Sequence, residues 1–324
     1  MTKEVDNKTP MDRLNYSGSL EPVVDRLGKA YGIGRATEFS VIGVGYEDCN
    51  VIVSTDNGKF LAKIFSKVRT EPDIARYATI MERVVEAGVN HPPLLKNSNG
   101  NVVHKDPEAN NLSLVLMKYI EGETFLELDR APDDHERQAV IEQAAKVNKI
   151  DFHPSYLPDS WAIPNIQAMY DRTKQFVEAG DLTMVEEVIR RYKDIPVETL
   201  PNCFVHGDFT KSNVLKTPSG DIYILDFSVA NWYPRIQELA VISANLLHDG
   251  GSSLQGRTTQ VAREYEKFNQ LTDAERKFLF DYALAGVAME FMGSYQEKFI
   301  NGNDTEETDY WMTLGREGLR KELS

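Results

Sequence analysis

Apolar positions along the chain follow two periods, and the change from one to the other marks its parts. In LEPVVDRLGKAYGIG, from residue 20, Val23, Val24, Leu27 and Tyr31 recur at helical spacing and glycines close the run. FSVIGVGYEDCNVIVSTDNGKFLAKIF, from residue 39, then reads as strand, turn, strand, turn, strand. Gly43-Val44-Gly45 separates the first two strands, and Asp56-Asn57-Gly58 is a hairpin signal before the third. PDIARYATIMERVVEAG returns to the helical period. Pro72 opens it, Gly88 closes it, and Ile74, Tyr77, Ile80, Met81, Val84 and Val85 form an apolar stripe. The apolar run LSLVLMKYI, Leu112 to Ile120, ends this first part.

From about Asp133 the pattern is mostly helical, as in DDHERQAVIEQAAKVNKI and NIQAMYDRTKQFVEAG. A β-rich island, CFVHGDFTKSNVLKTPSGDIYILDF, interrupts it, and helices resume to the C-terminus. Thr272 stands three residues before Glu275, the spacing of a helix capping box. No internal repeat or low-complexity tract occurs. The expected fold is α+β with two lobes. Residues 1–119 form a small β-rich lobe with one main helix, with 1–18 a loosely ordered lead-in. Residues 120–324 form a larger, mostly helical lobe.

Composition narrows the function. With 324 residues the chain is long enough for two domains, and its 41% hydrophobic content is ordinary for a globular protein. No apolar run is long enough to span a membrane, and MTKEVDNKTPMDRLNYSG lacks the apolar core of a signal peptide. Two cysteines, Cys49 and Cys203, make no disulfide framework and suit a reducing cytoplasm. A net charge of −14 disfavours nucleic acid as a partner. It serves solubility or draws a cationic substrate.

The island carries the chemistry. NVLK and IYIL are short strands joined by Pro218-Ser219-Gly220-Asp221, so a hairpin gathers Asp208, Asn213 and Asp226 at strand ends and loops. Two carboxylates and an amide converging in this way suit Mg²⁺, which takes hard oxygen ligands together with substrate phosphates. Phosphoryl transfer needs such a metal, a base for the attacking hydroxyl, and positive charge near the phosphates. Protein kinases meet these needs with H-R-D-x-x-x-x-N and a later metal-binding Asp. Here H-G-D-F-T-K-S-N keeps the Asp-to-Asn spacing, and LDF follows. FLAKIF places Lys63 on the third strand of the small lobe, where such a mechanism needs a phosphate-binding lysine.

These stretches, with LMKYIEGETF and QELA at Gln237 to Ala240, resemble the aminoglycoside phosphotransferase and choline kinase superfamily, small-molecule kinases with a protein-kinase-like fold. GYEDCNVIV is similar to the homoserine and hydroxylysine kinase branch. The resemblance implies Asp208 as catalytic base, Asn213 and Asp226 as Mg²⁺ ligands, and Lys63 on the ATP phosphates. It implies Met117, Lys118 and Tyr119 as the adenine-binding hinge and a nucleotide-covering loop with Gly43 and Gly45. His206 orients the catalytic loop. Lys211, three residues from the base, meets the γ-phosphate, meets an anionic group of the acceptor, or is a solvated loop lysine. Ser228 stands where the family often has an acid, which leaves one or two metals open. Tyr77 replaces the helix acid or amide that pairs with the strand lysine, leaving Glu71, Glu82 or no acid for that role.

The expected acceptor is a hydroxyl of a small molecule: an amino acid or amino alcohol, an aminoglycoside, or a sugar. Candidate contacts are Asp159, Trp161, residues 231–238 with Arg235, Glu290, Tyr295 and Trp311, with core packing as the alternative for each aromatic. The chain is expected to act as a monomer or homodimer. A catalytically silent binding or scaffolding relative is the alternative, but Lys63, Asp208, Asn213 and Asp226 are all present. A protein kinase is disfavoured by H-G-D in place of H-R-D and by the absence of an A-P-E segment.

Overall fold

The computed structural model describes residues 10–43, 45 and 47–323. The start of the expected lead-in, residues 1–9, lies outside the described residues, as do Val44 and Tyr46 of the glycine turn. The chain divides into two compact units. Described residues up to 85 group with 91–121, and 86–90 group with 122–323.

The first unit is built on a five-stranded antiparallel sheet of β1 (Ala36–Val41), β2 (Cys49–Thr55), β3 (Gly58–Ile64), β4 (Val103–Asp106) and β5 (Leu112–Lys118), in the order β1-β2-β3-β5-β4. The β2–β3 hairpin turns at Asp56-Asn57, with Thr55 opposite Gly58, whose φ of 126° only glycine adopts freely. Helix α1 (Glu21–Tyr31) ends at left-handed Gly32. It buries Val23, Val24 and Leu27 in one cluster with Val51, Val53, Ala62, Leu114 and Leu116 of the sheet. Leu14 joins that cluster just after a short 3₁₀ turn at Pro10–Arg13, so part of the lead-in is anchored. In α2 (Glu71–Glu86) the stripe is buried as expected except for Val85, which is exposed.

The second unit contains two small sheets. One pairs β6 (Glu123–Thr124), β8 (Val214–Lys216) and β9 (Ile222–Ile224); the other pairs β7 (Asn202–Val205) with β10 (Asn231–Pro234). Around them run α3 (Asp134–Val147), α4 (Ile166–Thr173), α5 (Ala179–Lys193), α6 (Ile236–Val241), α7 (Leu254–Tyr265), α8 (Asp273–Gln296) and α9 (Glu306–Leu323). The single helix expected from Asn165 to Gly180 breaks after Thr173. The Thr173 hydroxyl bonds back to Met169 O at 2.8 Å, and Phe176 turns out to stack on Phe299 with ring centres 5.4 Å apart. The next helix starts only at Ala179.

Helix α8 is the spine of this unit. The capping box appears as expected, with Thr272 Oγ1 accepting from Glu275 N at 3.2 Å and Glu275 Oε2 accepting from Thr272 N at 2.7 Å. Buried residues on every side of its second half mark it as a core helix rather than a surface one. Close approach depends on glycines. At Gly315 of α9, a Cβ would lie 2.7 Å from the Phe291 backbone nitrogen of α8. Gly315→Ala is therefore expected to destabilise this unit by about 1–3 kcal/mol, read as a lower urea midpoint in equilibrium unfolding.

Candidate active site

Strand β7 ends at a fully buried histidine. The His206 ring lies edge-on to Phe209 and Phe227, with centres 5.0 and 4.4 Å away. Its Nδ1 is 3.0 Å from Asp208 N and its Nε2 is 2.8 Å from Leu225 O. A backbone N–H can only donate and a carbonyl can only accept, so the geometry assigns the ring proton to Nε2. Burial pushes the imidazole down to about 4, so the ring is neutral at pH 7. His206 thus ties the loop to the residue before Asp226.

Beneath the loop lies Glu238 of α6, itself fully buried. Its Oε1 accepts from His206 N and its Oε2 from Gly207 N, each at 2.9 Å. Asn148 Nδ2 approaches Oε1 at 3.4 Å. Burial pushes the Glu238 carboxyl up to about 7, and the two backbone donors pull it down. Gly207 turns the chain with φ +85°, a left-handed conformation that favours glycine.

The loop presents Asp208 and Asn213 together. Asn213 Nδ2 donates to Asp208 Oδ2 at 2.5 Å and to Asp208 O at 3.1 Å. Both partners are acceptors, which fixes the amide orientation. Asn213 Oδ1 is thereby turned away, with no protein donor among the described residues. Leu225 N donates to Asn213 O at 2.8 Å, which brings Asp226 beside this group. Asp226 has φ +56°, uncommon for a residue with a side chain, and Ser228 donates to its Oδ1 from both backbone and hydroxyl. Ser228 therefore steadies Asp226 where the family often has a second acid. An unpartnered amide oxygen next to a carboxylate is the donor set that Mg²⁺ takes when substrate phosphates complete its shell. Among the described residues no cluster of three or more His, Cys, Asp or Glu side chains could hold a metal alone.

Lys211 is not a solvated lysine, being only 5% exposed. Its N–H donates to Asn245 Oδ1 at 3.0 Å, and its Nζ lies 3.5 Å from Tyr310 Oη of α9. Asn245 sits in a π-helical turn, Ile242–Leu246, that follows α6, and its Nδ2 donates to Glu290 of α8. Burial raises the Glu290 carboxyl to about 8, and the negative charge of Asp208 adds to this while Asn245 and Lys211 oppose it. Nothing in the sequence marked Asn245 or Tyr310; a π turn leaves no pattern in residue spacing.

In the other unit, Lys63 of β3 is 3% exposed. Its Nζ lies 3.4 Å from Asp48 Oδ2 and 5.4 Å from the centre of the Tyr77 ring. Asp48 Oδ1 accepts from Ser66 N at 3.0 Å and lies 3.6 Å from Arg69 Nε. Neither helix acid considered for this role takes it: Glu71 pairs with Lys105 at 2.8 Å on the surface, and Glu82 is exposed. The carboxylate comes instead from the residue before β2, and α2 contributes an aromatic face. Gly43 and Gly45 lie between β1 and β2, Gly45 with φ +97°. Met117 and Lys118 end β5, and Tyr119 N donates to Lys59 O at 3.2 Å.

Several acceptor candidates have structural roles. Asp159 accepts from Trp161 N at 2.9 Å, and Trp161 packs against Gly293 of α8. Arg235 forms a two-pronged pair with Glu275, at 2.8 and 2.6 Å. Tyr295 Oη accepts from Arg316 at 2.9 Å, and Trp311 is buried.

The His206 ring gives a direct check. Its folded pKa is depressed below the ordinary 6.5, so its contribution to stability is complete above that value and is lost as pH falls toward 4. Nitrogen NMR is expected to show a neutral ring protonated on Nε2 at pH 5.5, and denaturation midpoints to fall from pH 6.5 toward 4.

A model of the phosphotransferase enzyme family matches residues 38–273, most of the chain. Among curated proteins, a homoserine kinase of Phenylobacterium zucineum is 22% identical over 280 residues, covering 85% of this chain and 84% of its own. A homoserine kinase of Methylobacillus flagellatus is 21% identical over 219 residues, and the match spans 66% of this chain and 65% of that kinase. The solved structure of a microcompartment-associated aminopropanol kinase superposes with a TM-score of 0.70 at 11% identity, covering 92% of this chain and 95% of that one. The two-lobed α+β architecture is thus that of the small-molecule kinases. Among the described residues no helix is long and apolar enough to cross a membrane. The chain belongs to the phosphotransferase enzyme family.

Proposed function

We propose that this chain is an ATP- and Mg²⁺-dependent kinase that moves the γ-phosphate of ATP onto a hydroxyl of a small molecule. The observation that supports it most is the Asp208 carboxylate, held by Asn213 on a loop whose backbone is anchored by Glu238 and His206. Asp208 takes the proton of the acceptor hydroxyl as its oxygen forms a bond to the γ-phosphorus. The bond between that phosphorus and the bridging oxygen breaks, and its electron pair leaves with ADP. Asn213 and Asp226 would hold Mg²⁺, which when bound offsets phosphate charge. Lys63, oriented by Asp48, contacts the ATP phosphates; Met117, Lys118 and Tyr119 form the adenine hinge, and the loop bearing Gly43 and Gly45 covers the nucleotide. Fixed groups aimed at the reacting atoms need not reorganise during the reaction, which is how such sites lower a barrier.

Purified protein with Mg-ATP is expected to phosphorylate members of a panel of hydroxy amino acids, amino alcohols, sugars and aminoglycosides. Asp208→Asn should lower kcat by about 10²–10⁴-fold with little change in thermal midpoint, and unchanged turnover would remove Asp208 as the base. Chelation by EDTA should abolish activity, with recovery on adding Mg²⁺. Asp48→Asn should raise the KM for ATP about tenfold, while Glu71→Gln and Glu82→Gln leave it unchanged, as steady-state kinetics would show.

A further inference from the structure

Lys211 and Glu290 raise a question that phosphate chemistry leaves open. A buried ammonium is costly unless it is paired, yet among the described residues Lys211 Nζ has only the long contact to Tyr310 Oη, at 3.5 Å. No carboxylate lies within 4.0 Å of it among the described residues. Glu290, Asp129 and Asp249 act on it from farther away. Asp249 is engaged in a turn with Gly251 and Ser252. Glu290 likewise has no cation within 4.0 Å, and its hydrogen bond comes from the neutral Asn245. Asn245 therefore touches both residues, by its Oδ1 to the Lys211 backbone and by its Nδ2 to Glu290, and holds a cation and an acid near each other without letting them pair. Glu290 in turn feels the charge of Asp208.

We propose that Lys211, Asn245, Glu290 and Tyr310 form the acceptor subsite and select a hydroxy amino acid, Lys211 binding its carboxylate and Glu290 its ammonium. This rests on the kinase reading above and narrows it. An α-amino acid carries both charges on one carbon, so a single molecule offers a partner to each side chain, and Asp208, whose charge Glu290 feels, would receive its hydroxyl proton. An amino alcohol satisfies Glu290 and leaves Lys211 unpaired. A neutral sugar satisfies neither. A γ-phosphate contact for Lys211 is the less favoured role. Its ammonium reaches α9, and no contact joins it to Asn213 or Asp226 among the described residues.

Two matched pairs test this: L-homoserine against 3-aminopropan-1-ol, and L-serine against 2-aminoethanol. Binding is measured by calorimetry with Mg-ADP, and turnover with Mg-ATP. The wild-type chain is expected to favour the carboxylate-bearing member of at least one pair by about 10- to 100-fold. This comparison needs no variant. Lys211→Met, checked for an unchanged circular dichroism spectrum, should close that gap by weakening the amino acid. Glu290→Gln should weaken both members of a pair alike. Equal or greater affinity for the amino alcohol in wild type overturns the inference, as does a Lys211→Met loss of the same factor on both members. If only sugars or aminoglycosides are phosphorylated, the inference falls and the kinase reading stands. If the amino acid binds with the expected preference but is never phosphorylated, the subsite stands and the kinase reading falls. If no member binds or turns over, the inference falls.

Discussion

The active unit depends on one buried carboxylate. Glu238 has no solvent to stabilise its charge, so its burial is tolerable only while two backbone N–H groups point at it. Those donors belong to His206 and Gly207, so the direction of the chain through the start of the candidate catalytic loop is set from below. The loop then fixes His206, whose two ring nitrogens hold Asp208 on one side and Leu225 on the other. Asp208 holds Asn213, and Asn213 holds Leu225 through its carbonyl. The closed circuit leaves little freedom to the Asp208 and Asn213 side chains.

The links of this circuit that are short in sequence, His206 to Asp208 and Asp208 to Asn213, were the legible ones. The spacing from Asp208 to Asn213 is local, and the turn at Pro218–Asp221 is strong enough to call for a hairpin. Lys63 follows from its place on the third strand, after the glycine turn and before a helix. Legibility failed where partners come from different elements. Asp48 pairs with Lys63 across the β2–β3 hairpin, where the register Asn50 opposite Lys63 brings the residue just before β2 alongside. No spacing rule nominates it, and the family pattern points to the acids of α2 instead. Asn245 depends on a π turn and Tyr310 lies 99 residues after Lys211. Local propensity also gave way to packing at Thr173, where a continuous helical pattern was broken by a back-bonded hydroxyl and a stacked ring.

The departures of this chain from its family pattern share a physical logic. Ser228, in place of an acid, gives up a charge and supplies two donors to Asp226, which stands in a left-handed conformation. Tyr77, in place of an acid on α2, gives Lys63 a ring face, and Asp48 supplies the charge. In both places the polar group is kept satisfied by a different donor or acceptor set, and the candidate functional atom stays where it is.

The source of the charge beside Lys63 bears on control. In kinases whose lysine is paired by a helix-borne acid, swinging that helix outward breaks the pair and switches the enzyme off. Here a shift of α2 would take away the Tyr77 ring, but the carboxylate would stay, because Asp48 and Lys63 belong to one hairpin. The pair is therefore assembled whenever the sheet is folded. A movement of α2 would therefore remove the ring face and leave the ion pair.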